Sequence, residues 1–251
     1  GYILGGYSLS PFSGDKTEST VGSSDYWVVK LNSTGSIEWQ NNIGGSGSDY
    51  LYAIDQTIDG GYILGGHSSS NISGDKTENN HGSGDYWVIK LNIMGGIQWQ
   101  NTIGGDNIEF LYSLEQTYDG GYLLGGYSQS AATYDKTEST IGAEDYWIVK
   151  LNSIGEIIWQ NDIGGSGLDK IRWVTQTTDL GYIVAGFSAS NTSIDKNEAS
   201  KGSYDFWLIK LSTDNCNLVP YYVDADDDDF GTGFSIGNAC EAPGVYFSLN
   251  N

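Results

Sequence analysis

From Asp25 to Asn32 the chain reads DYWVVKLN, with Tyr26, Val28 and Lys30 on one side of an extended segment and Trp27, Val29 and Leu31 on the other. A period of two predicts a strand, and large residues on both sides predict a strand covered on both faces. IEWQNNI (37–43) places Ile37, Trp39, Asn41 and Ile43 on one side, and DYLYAIDQT (49–57) and GYILGGYS (1–8) complete a set of four strands. Ile58-Asp59-Gly60-Gly61 separates DYLYAIDQT from the next GYILGG, and Asp-Gly is the strongest short signal for a tight hairpin. Asn32-Ser33-Thr34-Gly35 does the same before IEWQ. Hairpins make the strands antiparallel, which counts against a parallel β-helix.

The pattern then repeats. Residues 1–60 and 61–120 agree at 37 of 60 positions without a gap, and further units begin at Gly121 and Gly181. A fixed period means one supersecondary unit used several times. Known blade repeats run about 40 to 50 residues, and removing the roughly fifteen-residue polar loop between GYILGGYS and DYWVVKLN brings this unit into that range. The predicted fold is all-β, a β-propeller of about 60-residue, four-stranded antiparallel blades, with four repeats over 1–212 and a tail over 213–251. DYLYAIDQT is the innermost strand, GYILGGYS second, DYWVVKLN third and IEWQNNI outermost. In that order the polar loop and the blade-to-blade GGSGSD segment emerge on one face, where a ligand site is expected. Trp27, Trp87, Trp147 and Trp207, with Trp39, Trp99 and Trp159, read as inter-blade packing. The repeats supply four second and four third strands but three innermost and three outermost, so the ring is incomplete. The count predicts pairing with further blades or with a second chain, and the opening inside a strand suggests a window on a longer protein.

Composition narrows the function. Glycine supplies 36 residues, aromatics 13% of the chain and proline three, as many short strands and tight turns require. Each large apolar side chain fully buried is worth about 1.5–3 kcal/mol, so eight Trp and eighteen Tyr support a substantial core. A net charge of −21 leaves no basic stripe for a phosphate backbone, since eight of the eleven basic residues are the two lysines of each repeat; nucleic acid is excluded as a partner. No run of 18 apolar residues is present for membrane insertion as a helix. Cys216 and Cys240 both fall in the tail, as a disulfide or as two reduced thiols.

SGDKTExxxGxxDYWVVKLNxxGxIxWQxxIGG…QTxDGGYILGG resembles the β-propeller repeats of large secreted bacterial proteins exported by the type IX system. The resemblance covers 1–212 and implies an extracellular or cell-surface scaffold; it assigns no activity. YYVDADDDDFGTGFSIGNACEAPGVYF (221–247) is similar to a metal-binding motif of secreted proteins akin to thrombospondin-type calcium repeats, and stops before the Asp-Cys-Asp-Asp that normally follows.

Asp224, Asp226 and Asp228 stand at alternate positions, a spacing that lets a loop turn three carboxylates onto a calcium ion, which takes six to eight oxygens. A solvated acidic linker is the alternative. The polar loop carries SGDKTE at 13–18, then SGDKTE, TYDKTE and SIDKNE. As a turn, it would have Lys16 bridge Asp15 and Glu18 at the surface. As a calcium site in each blade, it would use Asp15, Glu18 and Asp25, Asp75, Glu78 and Asp85, Asp135, Glu138 and Asp145, and Asp195, Glu198 and Asp205. His67 and His81 occur only in the second unit and read as surface substitutions, and G-x-S-x-G at 233–237 has no helical pattern after it. Lys170, Arg172 and Trp173 break the symmetry of the innermost strand, where other units read YLYAI and FLYSL; an indole platform beside a guanidinium suits an anionic sugar, and local charge balance is the alternative. The expected function is a non-catalytic extracellular scaffold or module binding a glycan or a cell-surface protein. The alternatives are a lyase or hydrolase of an acidic polysaccharide, with a tyrosine, His67 or His81 as base, and a pure spacer or adhesin.

Overall fold

A computed structural model describes residues 1–193 and 195–212 and the backbone of Tyr221–Tyr222. The described residues form four antiparallel sheets and no helix, a β-propeller-like stack of blades. Blade 1 holds β1 (Tyr2–Ser8), β2 (Asp25–Leu31) and β3 (Ile37–Ile43); blade 2 holds β4 (Asp49–Gln56), β5 (Tyr62–Ser68), β6 (Asp85–Leu91) and β7 (Ile97–Ile103). Blade 3 is β8 (Glu109–Gln116), β9 (Tyr122–Ser128), β10 (Asp145–Leu151) and β11 (Ile157–Ile163). Blade 4 is β12 (Asp169–Gln176), β13 (Tyr182–Ser188), β14 (Asp205–Leu211) and β15 (Tyr221–Tyr222). Strand order within each blade follows the chain, as the hairpins require. Among the described residues blade 1 has no inner strand, whereas the outer position of blade 4, which the repeats leave open, is taken by β15 through Ile209↔Tyr222 and Lys210↔Tyr221.

The core lies between blades. Tyr26 and Val28 of blade 1 pack with Tyr62, Leu64, Trp87, Ile89 and Leu91 of blade 2, and the same positions meet again at the next two junctions. Side chains on both faces of blades 2 and 3 are therefore dry, which accounts for the two-sided apolar pattern of the third strand. At each junction a tyrosine donates its hydroxyl to a tryptophan carbonyl one blade on: Tyr26 to Trp87 at 3.0 Å, Tyr86 to Trp147 at 3.1 Å and Tyr146 to Trp207 at 3.1 Å. Trp39, Trp99 and Trp159 of the outer strands reach Tyr62, Tyr122 and Tyr182 of the following blade. Both tryptophan series thus pack between blades.

The polar hexapeptide latches blades together. The Asp75 amide donates to Gly44 O (2.9 Å) while its carboxylate accepts from Gly44 N (3.1 Å), so the loop of blade 2 grips the end of the outer strand of blade 1. Asp135 grips Gly104 in the same way, and the Asp195 carboxylate accepts from Gly164 N. The glutamates cap amides of the outer strand in their own blade, Glu18 at Asn42, Glu78 at Thr102 and Glu138 at Asp162. The lysines do not bridge the two acids at the surface. Lys16, Lys76, Lys136 and Lys196 are buried, because the loop folds back over the blade and lays each chain across it. Lys16 donates to Ser10 O, Lys76 to Thr102 Oγ1, and Lys136 pairs with Asp162. The ammonium groups of Lys76, Lys136 and Lys196 lie over Trp87, Trp147 and Trp207.

Candidate functional site

Each inner strand carries a bulge at the same place. The register of β4 against β5 shifts between Leu51 and Ala53, that of β8 between Leu111 and Ser113, and that of β12 between Ile171 and Trp173. A bulge leaves one residue without a partner and re-aims its side chain. The residues so released are Tyr52, Tyr112 and Arg172, and they stack from blade to blade. The Tyr52 and Tyr112 rings lie 5.1 Å apart, and the Arg172 guanidinium sits 4.3 Å from the Tyr112 ring and 5.2 Å from Phe187. Tyr7, Tyr50, His67, Phe110 and Tyr127 flank this ladder. Burial pushes the Tyr52 phenol up to about 12 and the Tyr127 phenol higher still, so these tyrosines stay neutral and serve as apolar faces.

The ladder ends in a shallow cleft of 340 Å³ on the outward face of blade 4, lined by Arg172, Trp173, Ala185, Phe187, Tyr204 and Phe206, with Gly186 and the acidic Asp205 beside them. Trp173 is 52% exposed, Tyr204 and Phe206 are equally open, and Tyr204 meets Phe187 edge-on at 5.2 Å. Among the described residues Arg172 makes no ion pair; its flat cation is held by two aromatic rings.

This face has lost the features that join blades. Phe206 stands where Tyr26, Tyr86 and Tyr146 donate across a junction. Ala185 replaces Gly5, Gly65 and Gly125, of which Gly65 and Gly125 have no room for a Cβ, since one would lie 2.3 Å from Leu111 Cδ2 and 2.2 Å from Val174 Cγ1. Trp173 replaces Ala53 and Ser113, and Ser113 accepts a hydrogen bond from Val174 N of the next blade. A fifth blade docked in the same manner would meet a methyl group and an indole where its inner strand belongs.

Of the residues singled out by sequence, Arg172, Trp173 and Asp205 line the cleft. Lys170 lies apart from its lining, paired with Glu144 at 2.6 Å and set over the Tyr127 ring at 4.2 Å. Phe187, Tyr204 and Phe206 were missed: Tyr204 stands where the other units have Ser24, Gly84 and Glu144, and Phe206 where they have tyrosine, but only blade stacking gives those departures a meaning. His67 is not at the surface: its ring is buried flat on Phe110, 3.9 Å between centroids, with Nδ1 2.8 Å from Glu109 O. The reason is the neighbouring inner strand, which covers the second strand at that point. His81 stacks on Tyr134 and faces Asp135 at 3.2 Å.

The remaining acids are held by backbone amides. Asp25 accepts from Val21 N, Asp85 from His81 N, Asp145 from Ile141 N and Asp205 from Lys201 N. No grouping of three or more His, Cys, Asp or Glu side chains among the described residues is arranged to hold a metal ion. Asp224, Asp226, Asp228, Cys216, Cys240 and the stretch 233–237 lie outside the described residues.

No protein-family model matches the chain, and no curated protein matches it. Among solved structures it is similar to a Synechocystis apocarotenoid oxygenase, at 11% identity and a TM-score of 0.40, over 81% of this chain and 45% of that one. The chain thus spans less than half of that structure, and a likeness of this extent has no bearing on its chemistry.

Proposed function

We propose that the chain is a non-catalytic extracellular binding module that takes an anionic sugar of a glycan in the blade 4 cleft. The supporting observation is the cleft itself: a guanidinium braced between Tyr112 and Phe187, beside a half-exposed indole, on a blade face altered so that a like blade does not fit. The apolar face of a pyranose stacks on Trp173, and Arg172 offers a bidentate fork to a carboxylate or sulfate. The net charge of −21 works against such a ligand at long range. Affinity then rests on the short-range contact, and moderate salt, with a Debye length of about 8 Å, should help binding. Asp224, Asp226 and Asp228 complete the proposal as a calcium site in the tail.

The test is binding of the intact chain to an array of uronate-containing and sulfated glycans. A charge-assisted hydrogen bond is worth about 1.5–3 kcal/mol, so Arg172→Ala should weaken binding about tenfold or more, with Trp173→Ala doing the same and Arg172→Lys recovering only part. Unchanged binding in both alanine variants would overturn the assignment. A lyase acting at this cleft would need Tyr204 as its base, since no histidine lines it; new absorbance from unsaturated ends on a uronate polymer would reveal that activity.

A further inference from the structure

Blade 3 differs from blades 1 and 2 at one buried position. Asp145 and Trp147 lie two residues apart on β10 and so share a face, and Asp162 of β11 stands directly opposite Trp147. The loop between β9 and β10 folds back over this face and lays Lys136 across the indole, with Nζ 6.0 Å from the ring centroid. Nζ donates to Glu138 O at 2.6 Å and pairs directly with Asp162 Oδ2, the two side chains being 0% and 2% exposed. The Asp162 carboxyl also hydrogen-bonds to that of Asp145, which is fully buried against Gly164. Two carboxyls make such a bond only when one of them holds a proton. Oδ1 of each is buried and meets no N–H or O–H donor among the described residues.

Blades 1 and 2 hold the same lysine and the same acid without a carboxyl between them. In blade 2 Lys76 donates to Thr102 Oγ1, and in blade 1 Asn42 donates to Asp25 at 2.5 Å while Lys16 turns to Ser10 O. An amine, a carboxyl carbon and a second acid in one dry site are the reactants and the catalyst of an amide condensation. Water opposes that reaction by solvating the free ammonium and carboxylate; burial removes the solvation and favours neutral species. It pushes Asp162 up to about 8 and Asp145 to about 6. Contact between the two groups also replaces a bimolecular encounter, an advantage that reaches an effective concentration of about 10⁵ M or more.

We propose that Lys136 and Asp162 condense to an isopeptide bond between Nζ and Cγ, with Asp145 as the acid–base group. Nζ passes a proton to Asp162 Oδ2 while the proton shared by the carboxyls moves onto Asp145. The neutral amine adds to Asp162 Cγ, forming the C–N bond, as the protonated Asp145 donates to the carboxyl oxygen on which charge builds. The C–Oδ2 bond then breaks, and the hydroxyl leaves as water with a second proton from the nitrogen. An ammonium, a carboxylic acid and a carboxylate have become an amide, a water and a carboxylic acid on Asp145, with no oxidant, reductant or further reactant. The amide ties the β9–β10 loop to β11. Because the same loop grips Gly104 of blade 2 through Asp135, the bond fastens a blade junction as well. It also takes Asp162 out of titration, so the pH dependence of the free carboxyl pair belongs to chains in which the bond has not formed.

The test is the mass of the full chain, measured after denaturation and followed by tryptic mapping. The chain should weigh one water less than its sequence, trypsin should fail to cut after Lys136, and residues 91–150 should appear joined to 151–170 as one branched peptide. Asp162→Thr, which copies blade 2, should restore the full mass and the cut after Lys136. Asp145→Asn keeps the shape of the side chain and should form the branched peptide about a hundredfold more slowly. A chain that unfolds cooperatively and yet has its full mass would overturn the inference. So would a missing water with trypsin still cutting after Lys136, the mark of a succinimide elsewhere. Branched peptide formed at an equal rate in Asp145→Asn would overturn the part given to Asp145.

Discussion

Removing one hydroxyl tests whether the blades are joined as described. Tyr86 is fully buried, and its hydroxyl donates to Trp147 O at 3.1 Å across the junction of blades 2 and 3. Tyr86→Phe keeps the ring against Trp147 and deletes only that bond. A neutral buried hydrogen bond contributes about 0.5–1.5 kcal/mol net, and an acceptor left short of a partner in a dry interface adds to the loss, so a cost of about 1–2 kcal/mol is expected. For a chain of this size that lowers Tm by about 2–4 °C per kcal/mol. Stacked repeats need not unfold in one step, so urea denaturation should be read together with amide exchange in β6 and β10, the two strands the bond ties. Phe206→Tyr is the control. Its new hydroxyl enters the open cleft, and the change should stay within about 0.5 kcal/mol. A loss below about 0.5 kcal/mol for Tyr86→Phe, or a gain of equal size for Phe206→Tyr, would refute the view that these bonds hold blades together and that blade 4 lacks a partner for one.

Gly65→Ala should cost about 1–3 kcal/mol by driving a methyl group into Leu111 and Leu114, whereas Ala185→Gly should change urea stability by under about 1 kcal/mol. Asp162 and Asp145 are buried beside each other, and burial pushes their carboxyls up from 3.8, to about 8 and about 6. Groups raised on folding stabilise fully below their ordinary value and have lost that contribution once pH passes the folded values, so stability should fall from about pH 4 to about pH 8, most steeply below about pH 6 where both carboxyls stay protonated only in the folded chain. Asp162→Asn, which copies the Asn42 of blade 1, should flatten that fall in urea titrations at pH 5, 7 and 9; an unchanged slope would show that this pair does not set it. Millimolar calcium should raise Tm of the full chain over chelator and leave a chain ending at Ser212 unmoved; an equal rise in both would place calcium in the repeat loops instead.

The period of sixty, the alternation within each strand and the Asp-Gly turns determined the blade and the order of its strands, because these are local properties that a few neighbouring residues decide. The sequence also marked Arg172 and Trp173 as departures from the repeat. It did not give the role of the hexapeptide, since Asp75 finds its partner 31 residues back at Gly44, and the burial of Lys76 depends on a loop closing over Trp87. The outer strand of blade 4 escaped for a related reason: β15 is two residues long and carries no repeat signature. Nor did alternation reveal the bulge that releases Tyr52, Tyr112 and Arg172, for a register shift is a property of two strands together. The meaning of Phe206 and Ala185 lay furthest from reach. Each side chain takes its meaning from how blades stack, and blades are brought side by side only by the tertiary structure.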